Sequence, residues 1–373
     1  MNSSVSSFLS VQSDDFQLML QNYSLHTDVL IEEARRIVEK HRRSLINAAP
    51  QDAKYHLDKL LEAMLDCAPT KHGARYVAVL LHFAETKDPA EGRYLIDAAK
   101  AWLDYLLLPM LSVSKADRSQ PISTETPEFD NVANVIESAH RAEQREFKAA
   151  LAVRENYRCA LTQAFDLNRV VFLKKRGRGS EIPSGAAVLS MHAAHIIPLS
   201  LNSFSEMGER QAAGTEDFKD AAVTSAMLQS WTNIDLDGLA GPKITTLQNG
   251  IYMTRDNHIG FGRFKIYLEA DPVVPNQYEA RCYDMLLTDG SETRIVNFNT
   301  PEPPSPQLIG IHAAFARVLH LSGAADHHED LERDAERMEM LYSQGLIDIG
   351  QALPSQLAVL GGGVVYVRPQ VAY

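Results

Sequence analysis

Three polar residues capable of hydrolytic chemistry follow one another along the chain: His195 in MHAAHIIP (Met191 to Pro198), then Asn249 and His258 in QNGIYMTRDNH (Gln248 to His258). An imidazole with an ordinary pKa near ~6.5 is unprotonated at neutral pH and can take a proton from water. A second imidazole can bind a metal ion, and an asparagine amide can bridge backbone groups that a loop leaves without partners. Thr254, Asp256 and Asn257 are all capable helix caps, which places His258 at the start of a short helix, facing His195. Taken singly, each residue also has a plainer reading. A histidine within AAHII suits a satisfied core position, Asn-Gly suits a turn, and a histidine in a polar run suits the surface.

Taken together with R-C-A-L-T at Arg158 to Thr162, these segments resemble the HNH endonuclease family, in the branch found in fungal proteins with an "AHI-P" first motif and an "NG…H" second one. The order His195, Asn249, His258 is kept, with eight residues between the last two. The resemblance extends from about Phe129 to Asp326, since Pro301 to Asp326 looks like the helix that closes such domains. It implies a ββα-metal core, in which two antiparallel strands and a helix grip one divalent cation. It further implies His195 as the general base that activates water for phosphodiester hydrolysis, Asn249 as the residue that fixes the histidine-bearing loop, and His258 as a metal ligand. Magnesium, manganese or zinc is the implied ion.

The chain departs from the family pattern twice. Ala194 stands where many members have an acidic residue or a second histidine, and Gly262 stands where a second helical ligand would fall. One imidazole holds such an ion poorly. Asp256, Asn257, His192 or a distant carboxylate must therefore complete the site, or catalysis is weak or lost. His192 is three residues from His195, and strand alternation points the two to opposite faces, which argues against His192.

The elements that must position these residues are legible in the hydrophobic pattern. Leu30, Ala34, Ile37, Val38, His41 and Leu45 recur at helical spacing behind the candidate caps Thr27 and Asp28. Further helices are expected through Leu57 to Leu65, after Thr70, and from Asp88 with Pro89 in the first helical position. Residues 1–111 thus read as an all-α module whose helices are a possible protein-binding surface, and the polar, period-free residues 112–128 as a linker. Residues 129–325 read as an α+β, HNH nuclease-like domain. It comprises a long helix over Phe129 to Asn156, a strand over Ala186 to Ile197, an insertion with a helix at Glu216 to Trp231, and strands at Gly250 to Thr254, Arg263 to Glu269, Gln277 to Met285 and Thr293 to Phe298. A helix from Leu308 to Leu321 ends at Gly323. Residues 326–373 read as an acidic helix, with His327 and His328 on a solvated face, and a Gly-rich tail.

Composition narrows the partners. The chain has 373 residues and a net charge of −12, so it repels polyanions except through a local basic patch. Arg169, Lys174, Lys175, Arg176 and Arg178 supply one in what reads as an exposed, Gly-containing loop. Lys174, Lys175, Arg176 and Arg178 are the candidate phosphate contacts, with DNA the expected nucleic acid; a solvated loop or a transport signal is the other reading. Cys67, Cys159 and Cys282 lie too far apart for a disulfide framework or a four-cysteine zinc site, and Cys159 reads as a small buried hydrophobe. The N-terminus lacks signal-peptide character, and Tyr105 to Val113 is about half the ~20 residues of a membrane span. An intracellular, cytoplasmic or nuclear protein without a membrane partner is expected. The function expected is that of a metal-dependent DNA endonuclease. The rival is a degenerate HNH fold that serves as a non-catalytic binding or scaffold protein.

Overall fold

In the structure, a computed structural model, residues 14–22, 26–111, 132–198, 216–235 and 244–343 are described. The expected linker over 112–128 and the Gly-rich tail fall outside these residues. The chain, mixed helix and strand and α+β overall, divides into two units. The first takes the described residues within Met1–Met110, Phe204–Ile234 and Val318–Tyr373, and the second those within Leu111–Ser203 and Asp235–Arg317.

The first unit is built from helices α1 (Asp14–Gln21), α2 (Thr27–Ala48), α3 (Leu57–Asp66), α4 (Lys71–Lys87) and α5 (Arg93–Trp102), the last continuing into a wide π turn over Leu103–Leu107. The apolar stripe of α2 is buried at every position that its spacing picks out, from Leu30 to Leu45. Thr70 caps α4, its hydroxyl accepting from the Gly73 amide at 3.0 Å. Asp88 does not open a helix at Pro89. Its two carboxylate oxygens accept from the Glu91 and Arg93 amides, each at 3.1 Å, so the chain first closes a turn and α5 begins at Arg93.

Two segments join this unit against the expectation from chain order. Helix α8 (Glu216–Thr232) was expected inside the nuclease-like domain, yet its Trp231 indole donates to the Met64 carbonyl at 3.2 Å and its Thr224 hydroxyl to the Tyr105 carbonyl at 2.6 Å. A Cβ on Gly73 would lie 1.9 Å from the Trp231 carbonyl oxygen, so the approach requires glycine. Phe16, Tyr76, Trp102 and Trp231 continue the packing as an edge-to-face chain with centroids 5.6 to 6.2 Å apart. The other segment is α11 (Ala324–Ser343). His327 lies edge-on to Tyr55 at 4.9 Å, Lys54 pairs with Asp330 at 2.5 Å and His328 is buried, so these histidines do not form a solvated face.

The second unit begins with α6 (Val132–Arg154) and a short parallel pair, β1 (Phe165–Asp166) with β2 (Val188–Leu189), separated by α7 (Leu167–Lys175). An antiparallel hairpin follows, β3 (Met191–His195) on β4 (Gly250–Thr254), and then α9 (Arg255–Gly262). Three antiparallel strands, β5 (Ile266–Ala270), β6 (Gln277–Cys282) and β7 (Thr293–Asn297), are laid in chain order. Helix α10 (Pro306–Ser322) contributes its length up to Arg317, which pairs with Glu269 at 2.7 Å. Its His312 lies flat on Phe261, 3.8 Å between centroids, with Nε2 3.1 Å from the Phe261 carbonyl oxygen. Burial pushes this imidazole down to about 3, so it is a neutral core donor. Among the described residues no single helix is long and apolar enough to cross a membrane.

Candidate functional site

The β3/β4 hairpin carries the ordered residues, and its register decides which way each points. His195 is opposite Gly250 and His192 opposite Met253. All five residues of β4 are buried, because helices pack on both faces of the pair: α6 on one and α9 on the other. On the α6 face a Cβ at Gly250 would meet the Phe147 ring at 2.4 Å, so the glycine admits that ring. Phe147 stacks on the His195 imidazole, 4.6 Å between centroids and 18° between planes. His192 alternates to the other face, as its spacing requires, and its ring stands 5.5 Å from that of His258 on α9. His258 thus occupies the expected short helix and meets His192. The reason is that α9 packs on the face of the hairpin to which His192 points.

Asn249 is fully buried immediately before β4. Its Oδ1 accepts from the Ile197 amide at 2.9 Å, and its Nδ2 donates to the Ile197 and Ile244 carbonyls, both at 3.0 Å. The Ile196 amide donates to the Asn249 carbonyl at 3.0 Å. The residues that follow His195 are thereby tied to the segment that precedes Gly250. A second tie comes from Arg154, whose guanidinium donates to the carbonyls of Leu247 at 2.6 Å, Gly250 at 2.7 Å and Glu302 at 3.3 Å. Burial lowers the Arg154 pKa, opposed by the adjacent Glu155 carboxylate at 2.8 Å. Nothing in the local sequence singled out Arg154 or Phe147 beyond their place in a long helix.

His192 is half-buried, and desolvation first, then the positive charges of Lys148 and Arg255, lower its pKa against the pull of Asp256. Lys148, itself lowered by burial, and Arg255 are cations that sequence reading did not assign to the site. Asn257 is taken up by structure: its Oδ1 accepts from the Thr288 amide at 3.1 Å and its Nδ2 lies 3.8 Å from the Cys159 sulfur. Cys159 is buried and also accepts from the Thr162 amide at 3.4 Å, which is how a small apolar residue with a weak acceptor is used.

A divalent ion has no complete donor set here. Among the described residues no group of three or more His, Cys, Asp or Glu side chains is placed to hold one. The His192 and His258 imidazoles are two nitrogen donors, with two cations and one carboxylate acting on the first, whereas magnesium and manganese call for oxygen ligands. The described residues therefore offer magnesium or manganese no fitting ligand set, and zinc only the two imidazoles.

The basic run starts on a helix, not in a loop. Asp166 caps α7, its Oδ1 accepting from the Asn168 amide at 2.9 Å while its Oδ2 accepts from the Tyr252 hydroxyl at 2.7 Å. Lys174 and Lys175 form the last turn of α7 and Arg176 follows as its C-cap residue. Arg178 is engaged by Glu181, with Nη2 to Oε2 at 2.8 Å.

Residues 159–269 match the family model described as HNH endonuclease. No curated protein and no solved structure matches the chain. The matched stretch encloses His195, Asn249 and His258, both strands of the hairpin and the helix that follows it. The chain thus carries, from Cys159 to Glu269, a segment similar to the HNH endonuclease family.

Proposed function

We propose that this segment is a nuclease-type hydrolase acting on phosphodiester bonds of DNA, with β3, β4 and α9 as its ββα core. The observation that carries the reading is the three-point hold of Asn249 on Ile197 and Ile244, which fixes the chain just beyond His195. His195 takes the proton of the attacking water as the new P–O bond forms and the bond from phosphorus to the leaving sugar oxygen breaks, that oxygen taking a proton from solvent water, and Asn249 holds the histidine-bearing segment in place. Lys148 and Arg255 add positive charge near the hairpin, which suits a phosphate oxygen. Lys174, Lys175 and Arg176 contact neighbouring phosphates. His258, His192 and Asp256 remain the residues to test for metal binding.

A second reading is favoured by two observations: the His195 ring lies against Phe147, and the described residues lack a three-donor group. In it the fold binds nucleic acid without cutting it. Plasmid nicking by wild type and His195→Ala separates the two. Loss of nicking with an unchanged melting temperature is expected for the hydrolase, whereas equal activity in both proteins, or none in wild type across magnesium, manganese, nickel and zinc, removes the catalytic role and leaves the binding one.

A further inference from the structure

Helix α7 does more than carry lysines. Arg169, Phe172 and Arg176 recur at i, i+3 and i+7 along it and so share one face. The Arg169 guanidinium lies 4.1 Å from the Tyr157 ring centroid and 5.1 Å from that of Phe172, and the Arg176 guanidinium lies 5.3 Å from Phe172. Tyr157, Arg169, Phe172 and Arg176 therefore alternate as ring, cation, ring, cation. Tyr157 takes its place in this ladder with a left-handed backbone, φ 58°, following Asn156 at φ 52°, a conformation a tyrosine seldom adopts. Phe172 is 42% exposed, and Leu167, Val171, Val188 and Leu189, on the same helix and the adjoining β2, are 36 to 45% exposed.

A surface that only neutralised phosphates would need cations without apolar companions. This one joins flat π faces and exposed aliphatic groups to Lys174, Lys175 and Arg176, in a chain of net charge −12. Unstacked bases match that chemistry, since each presents a π face to a ring or a guanidinium while its phosphate meets a cation; paired bases in a duplex keep those faces hidden. We infer that the α7 and β2 face binds single-stranded nucleic acid, stacking unpaired bases on the Tyr157, Arg169, Phe172, Arg176 ladder. The inference rests on the nucleic-acid reading given above and names the form of the substrate.

The test is fluorescence anisotropy of the full chain in EDTA, so that binding is read without cleavage, with a labelled single strand, its duplex and an abasic strand of equal length. The single strand should bind tightest. Phe172→Ala should weaken it by about 5- to 150-fold, the range for one lost base stack, while leaving the duplex and abasic strand unchanged. Phe172→Trp should restore the single strand, which separates stacking from damage to the helix. Equal binding of all three ligands, no effect of Phe172→Ala, or displacement of the single strand by polyglutamate as readily as by unlabelled strand would overturn the inference; the last outcome would mark an acidic-peptide site. Plasmid nicking is measured independently. Strand preference with neither plasmid nicking nor cleavage of the single strand in added metal removes the hydrolase and keeps this face, and cleavage without strand preference does the reverse.

Discussion

Asn249 contributes through hydrogen bonds in a dry setting, so its removal should act on the frame around His195. Asn249→Ala leaves the Ile197 amide and the Ile197 and Ile244 carbonyls without their side-chain partner. Each buried group so abandoned costs about 1–3 kcal/mol, less where water enters, and a total loss of roughly 2–5 kcal/mol is expected in denaturant unfolding. Nicking should fall with it, and Asn249→Asp should not rescue either, since a carboxylate would face two carbonyl oxygens. His312 gives a residue-scale test of a different kind. Its folded pKa of about 3 lies below the ordinary histidine value, so between the two the unfolded chain binds the extra proton. Stability should then drop as pH falls from about 6.5 toward 3, by up to about 1.4 kcal/mol per pH unit from this group. His312→Gln should flatten the slope by about one proton; an unchanged slope would show that His312 titrates normally.

At the scale of elements, α7 depends on one carboxylate. Asp166 caps the helix and accepts from Tyr252, so Asp166→Ala should cost about 1 kcal/mol for the cap and more for the buried hydroxyl left behind. Amide exchange should accelerate across Asn168 to Lys175, with nucleic-acid affinity falling in parallel; protection unchanged along α7 would show that the cap is dispensable. The same helix shows where sequence reading stops. The run KKRGRG looked like a loop because of Gly177 and Gly179, and the cap that makes its first residues helical sits eight positions before Lys174. Strand periods, by contrast, were plain: β4 ends where expected, and the opposite facing of His192 and His195 follows from their spacing alone. The pairing of His258 with His192 was not legible, because it depends on which face of the hairpin α9 covers. Nor was the placement of α8, since periodicity marks a helix but not its partner, and the contact that decides it is between Trp231 and residues 64 and 73.

For the whole molecule, net charge −12 makes any approach to a polyanion depend on the few cations left uncompensated. Arg178 is held by Glu181, which leaves Lys174, Lys175 and Arg176 as the full contributors from the run. Replacing all four by Ser should flatten log K against log salt by up to about 2.7 on duplex DNA, about 0.9 for each free cation. A change near 3.6 would mean that Arg178 leaves its carboxylate on binding, and an unchanged slope would locate phosphate binding elsewhere. The melting temperature should barely move, because these side chains are exposed.

Arg154 has a bearing on how the chain is made. Its guanidinium is satisfied by carbonyls at Leu247, Gly250 and Glu302, all of them later in the sequence. A growing chain that has released only its first half holds a hydrated arginine at the end of α6 and no hairpin for His195 to complete. The histidine strand therefore waits on β4, from 55 positions beyond His195, and Arg154 waits on Glu302, so a ribosome stalled before Gly250 would display an unfinished site to any nucleic acid around it.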